Sequence, residues 1–130
     1  MITDLVKKFI NEYINSAVEL EILLFFYNNT EKEWTVEDIN QELRLSSVGA
    51  AQLLAELSSK GLIEVSGKDV LFYKYNPKNN YLGSAIRDLA KAYETHKYTL
   101  ISLIYSKPNT DLQLFADAFK LKKQEDKKED

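Results

Sequence analysis

Cysteine is absent from the 130-residue chain, which excludes a disulfide framework and any thiolate metal site and fits a reducing compartment. Histidine occurs once, at His96, and a lone imidazole brings no ligand set and no paired nucleophile with it. The four glycines (Gly49, Gly61, Gly67 and Gly83) are scattered, so no glycine-rich loop can cradle a phosphate. Long apolar runs are missing as well. The longest, Ile22–Tyr27, falls far short of the ~20 residues a membrane helix needs. Met1–Lys8 has neither the basic start nor the apolar run of a secretory signal, so a cytoplasmic protein away from membranes is expected. Acid pairs such as Glu37-Asp38 and Glu31/Glu33 lie beside helix caps or in loops, where solvation accounts for them. These absences point away from an enzyme, a metal or another cofactor, and toward a binding protein.

What is present describes one globular domain. Hydrophobic residues make up 45% and charged residues 28%, enough of each for a core and a solvated surface. The net charge of −3 is unevenly spread. Residues 35–75 carry 4 bases and 6 acids, whereas residues 76–110 carry 5 bases and 2 acids. A strong duplex binder draws its affinity from phosphate neutralisation, so an acidic middle segment sets a limit on that function.

Ile2, Leu5, Val6, Phe9, Ile10 and Tyr13 follow the 3–4 spacing of an amphipathic helix with Thr3 as its cap. Ser16-Ala17-Val18-Glu19 is a capping box in which Ser16 and Glu19 each satisfy an orphan donor. The run Ile22–Tyr27 is apolar all round and predicts a central helix covered on several sides. After the loop Glu31-Lys32-Glu33, Thr35 caps a short helix with Asp38 three residues on and Val36, Ile39 and Leu43 facing inward.

The chain is organised around Leu45–Val65. Ser46 is positioned to cap a helix whose buried stripe is Ala50, Leu54 and Leu57. Gly61 falls where a helix ends at positive φ. Leu62–Val65 and Val70–Tyr75 then flank Ser66-Gly67-Lys68-Asp69 as a β-hairpin. From Tyr81 to Ser106 the pattern is helical, with Leu82, Ile86, Leu89, Tyr93, His96, Leu100 and Leu103 forming a heptad seam. A straight helix of that extent is ~39 Å long, and a second copy of itself is the expected partner of the seam. Beyond Pro108, Leu112, Phe115, Ala118, Phe119 and Leu121 mark a short amphipathic segment, and Lys122–Asp130 is a mixed-charge tail.

From about Ser16 to Tyr75 the chain resembles the bacterial winged-helix regulators of the MarR, PadR and ArsR type. The resemblance is carried by Leu20-Glu21-Ile22-Leu23, Trp34-Thr35-Val36-Glu37-Asp38-Ile39, Leu45-Ser46, Leu54, Leu57 and Gly61-Leu62-Ile63. The helix after the hairpin is similar to the dimerisation helix of the PadR-like members. The resemblance implies a mainly α fold with a small β-hairpin (α+β), a winged helix-turn-helix. It divides into the winged unit with its N-terminal helix (1–80), a long dimerisation helix (81–106), a short amphipathic segment (107–121) and a flexible tail (122–130). The function it implies is that of a homodimeric DNA-binding transcription regulator.

On that reading the 46–60 helix enters the major groove of double-stranded DNA, and dimer half-sites lie about one turn, ~34 Å, apart. Gln52 is suited to an adenine edge, Ser46 and Ser47 to phosphate, and Arg44, Lys60, Lys68 and Lys74 to the backbone. This sequence departs from the family pattern in having no Arg or Lys between Arg44 and Lys60, and helix capping explains Ser46 and Ser47 equally well. The alternative is a winged-helix module that binds protein. Val48 and Leu53 would then form an apolar contact face, with Phe115 and Phe119 as a docking element, although packing on the domain's own core is the commoner use of such a segment.

Overall fold

The computed structural model describes residues 2–45 and 49–106. Five helices and a two-stranded antiparallel hairpin fall within them: α1 (Asp4–Tyr13), α2 (Ala17–Asn28), α3 (Val36–Leu43), α4 (Ala50–Ser59), β1 (Ile63–Ser66), β2 (Phe72–Tyr75) and α5 (Asn80–Ser106). The fold is a winged helix-turn-helix with a long helix after the wing. Among the described residues no helix is long and apolar enough to cross a membrane. The amphipathic segment and tail expected over 107–130 lie outside the described residues.

Local sequence sets most of the helix starts. Thr3 Oγ1 accepts from the Val6 amide at 3.2 Å, and Val6, Phe9 and Ile10 turn inward from α1. Thr35 and Asp38 form the full reciprocal box at the start of α3, both bonds at 3.1 Å. α2 buries Leu20, Ile22, Leu23, Leu24 and Phe26, more than one stripe, and so takes the centre of the core. Its expected capping box is only half made. Ser16 Oγ accepts from the Glu19 amide at 3.1 Å, but the Glu19 carboxylate passes over Ser16 and accepts from the Asn15 amide at 2.7 Å.

α4 begins one turn later than the sequence predicts. Gly49 stands at its N-cap with φ +105°, a left-handed backbone that no preceding helical turn can share, and the Leu53 amide bonds the Gly49 carbonyl at 2.8 Å. Ser46, the cap expected from the sequence, lies with Ser47 and Val48 outside the described residues. At the other end Gly61 has φ +79°, as expected, and a Cβ there would also collide with the Lys78 side chain. Ile63 pairs with Tyr75 and Ser66 with Phe72 across the hairpin. Trp34 adds a bridge to the outer strand, exchanging backbone bonds with Tyr73 at 2.8 and 2.7 Å, which ties the wing to the start of α3.

α5 departs from expectation in two ways. It is bent at His96, whose φ −129° and ψ 36° are not helical, so it is not one straight rod. Its seam also faces inward: Leu82, Ile86, Leu89 and Leu100 are each 0% exposed within a single chain. These four pack α5 onto α1 and α2, and side chains already sealed there cannot form a contact with a second copy. Only Tyr93, His96 and Leu103 of the seam keep partial exposure.

Tyr75 closes the wing against α2, its ring edge-on to Tyr27 at 5.7 Å. Burial first, and the neighbouring Tyr27 second, push its phenol up from 10.0 to about 12. The folded state thus holds this proton more tightly than the unfolded chain does. Its contribution is complete below pH 10 and fades as pH rises toward 12. Urea midpoints measured across that range should fall more steeply for the wild type than for Tyr75→Phe; parallel profiles would contradict this account.

Candidate nucleic-acid interface

The helix-turn-helix is made by α3, a turn that starts at Arg44, and α4. Arg44 ends α3 in the left-handed region (φ 52°, ψ 44°), uncommon for a residue with a Cβ, and its side chain is exposed. α4 buries Ala50, Leu54 and Leu57 and exposes Ala51, Gln52, Ala55 and Ser59. Gln52 is the one long polar side chain on that outward face, and an amide of this kind can make the paired contact to an adenine edge. Leu53, expected on an apolar contact face, is half-buried against the core instead.

On the wing, Lys68 is exposed beside Asp69, which offsets its charge. Lys74 is exposed on β2 directly opposite Glu64, whose carboxylate accepts from Asn76 Nδ2 at 2.6 Å. Arg44, Lys68 and Lys74 make no ion pair among the described residues. They are the cations that the fold leaves at the edges of the helix-turn-helix and on the wing.

Lys60 is not one of them. Its ammonium donates to Glu19 Oε2 at 2.8 Å and to the Tyr13 carbonyl, and its side chain is only 20% exposed. Glu19 is 1% exposed, with its other oxygen held by the Asn15 amide. A cation engaged inside the protein on two acceptors cannot reach a phosphate without leaving a carboxylate buried and uncompensated. The sequence-based assignment of Lys60 to DNA is corrected on that ground.

The wing carries a feature the sequence reading missed. Val65, Val70, Leu71 and Phe72 are 40%, 53%, 44% and 39% exposed, apolar side chains spread over the hairpin, with Val65 opposite Tyr73 on one face and Phe72 opposite Ser66 on the other. The signal was available in the unbroken run Val70-Leu71-Phe72, where a strand with one solvated face alternates. Among the described residues no cluster of three or more His, Asp or Glu side chains could hold a metal ion.

The Lys60–Glu19 pair makes a direct stability test. Replacing Lys60 by Met should cost about 3 kcal/mol, because it strands a buried carboxylate. Adding Glu19→Gln in the same chain should recover much of that loss, and denaturant titration of the three proteins measures both steps. A Lys60→Met protein as stable as wild type would refute the pairing.

No family model matches the chain, and no curated protein matches it. Among solved structures it is similar to three mutant forms of Lactococcus lactis ZitR. The first is 16% identical and covers 84% of this chain and 73% of that one, with a TM-score of 0.48. A second, a double mutant, is 17% identical over 85% and 74% of the two chains, with a TM-score of 0.44. The third is 18% identical over 84% and 73%, also with a TM-score of 0.44.

Proposed function

We propose that the chain is a winged-helix transcription regulator that binds duplex DNA through α4 and the wing. The observation that carries this reading is the helix-turn-helix itself, in which α4 turns an uncharged, small-residue face carrying Gln52 outward while the rest of the helix is locked to the core. Such a face can approach base edges closely, with Gln52 as reader and Arg44, Lys68 and Lys74 on the flanking phosphates. A second copy, which a two-half-site regulator requires, would use what the core leaves of α5: His96 and Leu103, with Tyr98 and Tyr105, exposed at 80% and 64%.

The second reading, a winged helix that binds protein, is favoured by the exposed apolar side chains Val70, Leu71 and Phe72 in and beside the wing. A phosphate backbone has nothing to offer that surface, whereas a partner's apolar side chains do.

Fluorescence anisotropy with a generic duplex across a salt series separates the two. With three phosphate-facing cations per chain, the slope of log K against log salt should be about −3 per chain bound. Lys74→Ala should reduce the slope by roughly 1, and Lys68→Ala likewise, while Gln52→Ala weakens binding to a preferred sequence and leaves the slope unchanged. Absence of binding at low salt would sink the DNA reading and leave the apolar wing as the binding surface.

A further inference from the structure

We propose that the groove between α2 and α5 is the docking site of this chain's own segment Thr110–Leu121. The groove is about 790 Å³ and is walled by Glu21–Asn28 on one side and Arg87–Glu94 on the other. Leu24, Phe25, Tyr27, Leu43, Ala90 and Tyr93 supply its apolar surface, and charges of both signs stand around them. It is separate from the helix-turn-helix face, so the proposal does not rest on DNA binding.

Four observations select the occupant. The last turn of α5 lies at the start of α2, on the groove's Glu21 side: Tyr105 Oη accepts from the Ala17 amide at 3.4 Å, one helical turn before Glu21. Pro108 cannot continue a helix, and Lys107-Pro108-Asn109 span at most about 10 Å when extended at ~3.3 Å per residue. The lengths also agree. In a helix Leu112, Phe115 and Phe119 share one face and span about 11 Å at ~1.5 Å per residue, as Glu21 to Asn28 does on α2. Finally, three large apolar side chains on one face need cover, and the groove leaves part of its aromatic and aliphatic surface open. Leu43, at the groove, is the last residue of α3, so the docked segment would brace the helix immediately before the Arg44 turn.

The absence of native cysteine makes the test clean. A thiol pair at Glu21→Cys and Gln113→Cys, treated with a short bis-maleimide in the full chain, is compared with Glu12→Cys and Gln113→Cys. Glu12 lies in the last turn of α1, close to Ala17 in the chain but outside the groove. The expected result is crosslinking within one chain about tenfold faster for the groove pair, from the higher effective concentration of a docked segment. Phe119→Asp in the groove pair should bring the rate down to that of the control. Equal rates for the two pairs would overturn the proposal. So would crosslinks that join two chains at a rate rising with protein concentration, which would assign the groove to a second copy.

Discussion

The contact between Lys60 and Glu19 fixes how the two halves of the winged unit meet. Glu19 stands in the first turn of α2 with its carboxylate removed from water, and both oxygens are used: one by the Asn15 amide, the other by the Lys60 ammonium. Lys60 follows the last residue of α4 and also reaches the carbonyl that ends α1. Three helix ends are thereby joined at one point. Desolvating two opposite charges is costly, and a buried pair often contributes little net stability. What it contributes is discrimination, since any arrangement of α4 that moves Lys60 away leaves a bare buried carboxylate. Leu54 and Leu57 would tolerate a sliding helix far better than this pair does.

That constraint reaches the binding surface. By holding Lys60 inward, the core takes the cation that follows α4, and the outward face is left with Ala51, Gln52, Ala55 and Ser59. Arg44 and the two wing lysines remain, with Glu64 facing Lys74 and Asp69 beside Lys68. On the proposed DNA reading, a surface so modest in charge adds only a small counterion-release contribution to close shape fit. The apolar wing points the same way, because Val70, Leu71 and Phe72 find better company in a base edge, a sugar face or a protein side chain than in a phosphate.

Local chemistry was legible in the sequence wherever a few neighbouring residues decide the outcome. Thr3, the Thr35–Asp38 box and Gly61 act over three or four positions, and the structure has each where the sequence placed it. The hairpin is present with shifted bounds: Ser66, expected in the turn, ends β1, and Val70 and Leu71, expected in the second strand, precede β2. Contacts between distant residues left no such trace. Glu19 reads as half of a capping box because its true partner lies 41 residues away. The Trp34–Tyr73 bridge joins a residue before α3 to one in the wing, and neither residue announces the other. At the start of α4 two local signals competed: a serine able to cap and a glycine able to turn left-handed. The glycine set the boundary. Gln52 is exposed on α4, as the helical spacing placed it, whereas Lys60 is turned inward, since sequence shows that a cation exists and not what it already holds.

The seam on α5 shows most clearly what periodicity can and cannot say. Apolar residues spaced by 4 and 3 state that one face of the helix needs cover, and they are silent on whether the cover is a second copy or the rest of the same chain. Geometry decides. A strict seven-residue repeat drifts by ~20° per heptad on a straight helix of 3.6 residues per turn, so three heptads from Leu82 carry the stripe ~60° around the axis. Two identical helices would absorb that drift by supercoiling around each other. A helix laid on the core of its own domain must break or leave it. Here the helix bends at His96, and beyond the bend the buried pair is Leu100 and Ile104 rather than Leu100 and Leu103. The stripe has moved over by one residue, which returns the last turns to the core and leaves Leu103 only half covered. A seam that had evolved solely to face its own copy would have had no reason to make that shift.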